Sequence, residues 1–212
     1  PFIYSPENSF DKIDLLLLER DSKRYKESFN SCKFHRFNLI TLSKDIKLKG
    51  LHFYENLEDL ISCFLTLQEK YDLILSPMIE GGHQDHDTVC LAILYCKKYQ
   101  KSQTKLILYS TYRSQDLMPF LYTCGISRKI SKEKLVSVSL SYKWIYLYLI
   151  TIVIFYRSQY KTWILLTPFV LFLYLNGNLN KFVNGNYLDY NDAIKLIPKK
   201  PLYQTYRNCS KK

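Results

Sequence analysis

The chain reads as an α/β protein layered around a mostly parallel sheet, and three observations lead there. Short, continuous apolar runs alternate with longer stretches of helical character. The runs lack the polar/apolar alternation of a half-wet strand, as expected of strands covered on both faces. The densest cluster of chemistry-bearing side chains directly follows one of those runs, at the carboxyl end of a strand, where open α/β sheets hold their ligands.

In chain order, residues 13–18, 38–42, 72–76 and 105–109 are expected as strands, and residues 23–32, 57–70 and 87–100 as helices. Such alternation argues for layers joined by right-handed crossovers. At 212 residues the chain is long enough to bury a substantial core. No internal repeat, low-complexity tract or linker divides it. The expected partition is a core over residues 1–140, with residues 141–212 forming helices and a tail packed on the same domain.

Composition narrows the function classes. Hydrophobic content of 47% with 23% charged residues excludes a disordered chain. The net charge of +11 is spread along the sequence, with concentrations at residues 128–134 and 199–212 and no arginine-rich block. That pattern describes a solvated basic surface able to attract anions; with no nucleic-acid motif present, no nucleic-acid partner is expected. Six cysteines show no Cys-x-x-Cys spacing, and the first residues lack a signal-peptide pattern. Free thiols in a reducing compartment follow, hence a cytoplasmic location, with membrane association an open addition. Neither a glycine-rich phosphate loop nor a Gly-x-Ser-x-Gly elbow occurs.

Residues 144–175 are rich in apolar and aromatic side chains. A helix over residues 144–156 reaches about 20 Å, short of the roughly 30 Å hydrocarbon core, and extending it would carry Arg157 and Lys161 into the bilayer. The second run has Thr167 as an expected amino-cap, Pro168 at the first helical position and Asn176-Gly177 as a stop. Both helices are therefore expected to be buried in the core or at a subunit interface, which makes an oligomer one expectation. The alternative is contact with a membrane surface through Trp144, Tyr146, Tyr148, Tyr156 and Trp163 with their basic neighbours.

The cluster itself is Glu80-Gly81-Gly82-His83-Gln84-Asp85-His86, followed by Asp87. It places two of the four histidines within one helical turn of each other, beside a carboxylate. Neutral imidazoles are the commonest metal ligands, and a carboxylate on the second ring nitrogen fixes the tautomer. Two histidines three positions apart can face one point if a helix begins between them. The plainer reading is a polar loop in which both rings cap the helix start, since two histidines fall short of the ligand count of a closed zinc site. Arg113, just after an expected strand, sits where substrate-binding loops occur, but equally reads as an exposed loop arginine. His35 and His52 are isolated, and no role is assigned to them.

Residues Glu80 to His86 resemble the second signature motif of the PIG-L/LmbE family of zinc-dependent N-acetylglucosaminyl de-N-acetylases, with Gln84 where the family usually has proline. Arg24-Tyr25-Lys26-Glu27, Tyr156-Arg157-Ser158-Gln159 and Pro201-Leu202-Tyr203 are similar to further family segments in the same order, so the resemblance covers most of the chain. It implies a Rossmann-like three-layer fold and the removal of acetyl from an N-acetylated amino sugar or glycoconjugate, with zinc or another divalent metal as cofactor. By the same resemblance His86 is a metal ligand, His83 stabilises or protonates the tetrahedral intermediate, Asp85 orients His83, and Tyr156 and Gln159 line the sugar pocket.

The family's first motif, His-Pro-Asp-Asp-Glu, has no counterpart; Ser5-Pro6-Glu7-Asn8 keeps only its proline. Two expectations follow: a chain that lacks its amino-terminal strand and motif, or a homologue whose catalytic half has decayed. In the second case the protein would be noncatalytic and would bind a glycan or a membrane surface.

Overall fold

A computed structural model of the chain describes residues 13–18, 21–41, 48, 52–79, 81, 83–99, 104–110, 113–114, 122–123, 130–137, 142–177 and 181–196. In chain order the elements are β1 (Asp14–Leu17), α1 (Ser22–His35), β2 (Asn38–Thr41), α2 (Leu57–Gln68), β3 (Leu73–Pro77), α3 (Gln84–Tyr99) and β4 (Lys105–Tyr109). There follow β5 (Arg113–Ser114), β6 (Tyr122–Thr123), β7 (Leu135–Ser137), α4 (Tyr142–Ile150), α5 (Tyr160–Leu175), β8 (Lys181–Asn184) and α6 (Tyr190–Leu196). The fold is α/β, with strands and helices alternating through the first half. The chain forms two compact units, one from Pro1–Lys49 with Ser139–Leu171 and the other from Gly50–Val138 with Phe172–Lys212.

The first unit contains a strand–helix–strand turn. β1 and β2 are parallel, with Asp14 opposite Asn38 and Leu17 opposite Thr41, and Asn38 Nδ2 donates to Asp14 Oδ1 at 2.9 Å. α1 starts because the Asp21 carboxylate accepts from the backbone N–H groups of Lys23 and Arg24, relieving two orphan donors of the first turn. It stops at Arg36, whose φ of 59° puts it in the left-handed region, while Phe37 N–H returns to Cys32 O.

α4 and α5 meet through an aromatic seam. Trp144 and Tyr148 stack at 5.4 Å between ring centroids, and Tyr148 meets Trp163 edge-on at 6.1 Å. Between the two helices lies a π-helical turn, Thr151–Phe155, whose Thr151 and Ile152 are buried. α5 corrects one expectation. It does not begin at Thr167-Pro168 but runs from Tyr160 to Leu175 with Pro168 inside. Thr167 Oγ1 donates to Trp163 O at 2.7 Å, a bond made within a continuing helix and not an amino-cap. Burial of Leu166 and Val170 on the same side holds the helix through the proline. The stop is at Gly177, φ 61°, as the Asn-Gly pair suggested.

The second unit holds a four-stranded sheet in the order β3-β4-β8-β7. β3 and β4 are parallel in register from Leu73 opposite Lys105 to Pro77 opposite Tyr109, whereas β8 runs antiparallel to both β4 and β7. The sheet is therefore mixed, and the expectation of a mostly parallel sheet does not hold for it. β7 and β8, Leu-Val-Ser and Lys-Phe-Val-Asn, are too short to show a periodicity and join the sheet from distant parts of the chain. Nor is every strand covered on both faces, since Leu75 is exposed.

α2 and α3 pack on each other, with Leu60, Phe64, Cys90, Ala92, Ile93 and Cys96 buried. Thr104 Oγ1 closes the lower edge by donating to Gln68 O. Gly185 follows β8 where a Cβ would come within 2.6 Å of Leu106 Cγ, so only glycine fits there without displacing that core side chain. Among the described residues, no helix is long and apolar enough to cross a membrane.

Candidate metal or acid/base site

The site belongs to the second unit and is built where β3 hands over to α3. Met78 N–H donates to Tyr109 O and prolongs the parallel ladder one residue beyond β3, and Met78 and Ile79 are both buried. The chain then turns through Gly81 at φ 68°, a conformation that side-chain-bearing residues resist. The first bond of α3 runs from Asp87 N–H to His83 O, so the helix begins between the two histidines.

That start position decides the geometry. His83 precedes the first helical residue and His86 lies in the first turn of the helix, and their rings stack at 4.5 Å between centroids with 28° between planes. Both rings are partly buried. Burial and the neighbouring His83 push the pKa of His86 down to about 3, so the ring stays a neutral lone-pair donor throughout the physiological range. Two imidazoles in face-to-face contact accept a second proton poorly, because each charge raises the cost of the other.

The two carboxylates of the first turn hold the scaffold. Asp87, 0% exposed, accepts from Gly81 N–H at 2.8 Å and pins the turn that delivers His83. Asp85, also buried, accepts from Phe53 N–H at 3.2 Å and ties the 3-10 turn Phe53–Asn56 to the start of α3. Both acids gain from the amino end of the helix dipole. Sequence reading noticed Asp87 only as a helix-start residue and passed over its role in holding Gly81. The available signal was a carboxylate six residues after a glycine placed directly behind a strand.

The other expected site residues are distributed as follows. Arg113 lies in β5, opposite Thr123 of β6 in a two-residue ladder of the second unit. Tyr156 and Gln159 belong to the first unit. Tyr156 is buried, its hydroxyl donates to Ser28 Oγ at 3.4 Å, and burial raises its pKa. Gln159 N–H bonds Tyr156 O. Beside them the Glu27 carboxylate accepts from both Ser158 N–H, at 2.8 Å, and Ser158 Oγ, at 2.5 Å. Ser5 to Asn8 and Pro201 to Tyr203 lie outside the described residues.

His83 and His86 carry ring nitrogens, the donor type that divalent transition metals take from histidine. Among the described residues, no group of three or more His, Cys, Asp or Glu side chains converges on one point. Of the cysteines, Cys32, Cys63, Cys90 and Cys96 carry free thiols, and burial pushes Cys96 up to about 11. Comparison with protein-family models, with curated proteins and with solved structures finds no match.

Proposed function

We propose that the chain is a PIG-L/LmbE-like hydrolase of Rossmann-like layering that removes acetyl from an N-acetylated amino sugar or glycoconjugate. The observation that carries this reading is the stacked His83–His86 pair at the start of α3, directly behind a parallel strand. The site joins a neutral, metal-competent imidazole to a second imidazole one ring away, at the positive end of a helix dipole.

His86 would hold a divalent metal, which when bound supplies Lewis acidity and a polarised water to amide hydrolysis. His83 would stabilise charge developing on the acetamide oxygen or return a proton to the leaving amine. Asp85 and Asp87 keep the two rings in register through the backbone. Further support comes from a contact between two of the segments that the resemblance covers: Glu27 bonds Ser158.

The second reading is a noncatalytic relative that binds glycans. Such a relative would keep the fold and the histidine pair and bind a glycan or a membrane surface without turnover. Zinc separates the two. The hydrolase reading expects uptake of about one equivalent, and about 2.7 kcal/mol of added stability at a hundredfold excess over Kd. It also expects release of acetate from an N-acetylglucosamine conjugate, with both properties lost in His86→Ala. A chain that binds the conjugate without zinc and without turnover is the noncatalytic relative.

A further inference from the structure

α5 is apolar on the side that faces outward as well as on the side that faces in. Leu166 and Val170 are buried, while Tyr160, Ile164, Leu165 and Phe169 are exposed, Ile164 by 67% and Leu165 by 70%. They fall in two i,i+4 rows, Tyr160 with Ile164 and Leu165 with Phe169, which together cover about half of the helix circumference. α4 has its own outer row in Tyr142 and Tyr146, opposite the buried Trp144 and Tyr148. An apolar row of this length on a water-exposed helix is a docking surface in want of a cover.

Charge says which cover. Between Glu133 and Asp189 the sequence contains no acidic residue; Lys143 and Arg157 are exposed next to the outer residues in sequence, and Lys161, also exposed, falls between the two rows of α5. Lys161 Nζ lies 6.0 Å from the centroid of the Tyr160 ring. A two-fold contact with a second copy would set this basic surface against itself. A bilayer with anionic headgroups meets both requirements, taking the apolar side chains at the acyl boundary and the cations at the phosphates.

We infer that the outer face of α4 and α5 docks flat on an anionic lipid surface, lying on the bilayer and not through it. Tryptophan takes no part: Trp144 is buried in the seam and Trp163 meets Tyr148 within it, so tyrosines and aliphatics form the contact. The inference stands independently of the histidine site.

The test is flotation of the full chain with phosphatidylcholine vesicles and with vesicles in which about 30% of the lipid is phosphatidylserine. Binding is expected to the anionic vesicles, weakening as salt is raised. Neutralising the three cations together, Lys143→Gln, Arg157→Gln and Lys161→Gln, should lower partitioning roughly a hundredfold. Ile164→Ser with Leu165→Ser should lower it at least about tenfold. Both variants change exposed side chains, so wild-type circular dichroism and thermal unfolding are expected of them. Equal partitioning into neutral vesicles, or no flotation at all, overturns the proposal. So does a concentration-dependent dimer that Ile164→Ser dissociates, which would make a second copy the occupant. A chain that floats but binds no zinc leaves this inference standing and removes only the hydrolase.

Discussion

His35 and His86 are both histidines whose pKa is held below the usual value by burial. Their neighbours differ in kind. His35 Nε2 lies 2.8 Å from Thr151 Oγ1, and the Thr151 hydroxyl proton is already donated to Leu147 O at 2.7 Å. The only proton left for the His35 contact is the one on Nε2, so a single tautomer is fixed. Phe34 and Phe37 flank the ring. His86 instead faces a second imidazole across 4.5 Å. Burial alone therefore does not mark a working histidine. A hydroxyl fixes the tautomer of the first ring and makes it a strut, whereas the second ring is neutral and stacked on another imidazole, the arrangement on which the proposed metal site rests.

The largest effect that would break this contrast comes from Asp87. Asp87→Ala removes the acceptor for Gly81 N–H from a fully buried position and should cost about 2–4 kcal/mol in urea unfolding, with Asp87→Asn recovering part of it. A variant as stable as wild type would mean that the turn delivering His83 is held by something else.

Acid comes next. A histidine whose folded pKa lies below its unfolded value binds its proton more readily when unfolded, so its contribution is complete above the unfolded pKa and is lost as pH falls. For His86 the window runs from about 6.5 down to about 3. The loss approaches about 1.4 kcal/mol per pH unit, or about 2 kcal/mol by pH 5. His35 acts with the same sign. Denaturant midpoints measured across this range should fall less steeply in His86→Gln than in wild type; parallel slopes would remove His86 as the source.

The smallest effect concerns the strut. Thr151→Val keeps the shape but deprives His35 Nε2–H of its acceptor, for about 1–2 kcal/mol. Nitrogen chemical shifts of His35 should then show a mixture of tautomers where wild type shows one.

Much of the first half of the fold was legible because its signals are local. Leu73 to Ser76 and Lys105 to Tyr109 are continuous apolar runs between polar breaks, and both are strands. The close approach of the His83 and His86 rings was also legible, as a condition: it required the helix to begin between them, and it does. The start of α3 was expected at Asp87 because Gln84, Asp85 and His86 carry no apolar period, yet the carboxylates bonded to Gly81 and Phe53 hold that turn helical. β7 and β8 stayed hidden because strands of three and four residues take their identity from the partner beside them. Thr167-Pro168 misled because its local preference for a helix start is outweighed by the packing of Leu166 and Val170.

Pro168 also limits how that face can be covered. It has no N–H to offer the Ile164 carbonyl, and both residues lie on the outward side of α5. Whatever rests against that side must leave the carbonyl a water molecule or bring it a donor, because a dry hydrocarbon contact would strand it at a cost of several kcal/mol. A lipid surface docked there would therefore hold the helix at depths where water still reaches.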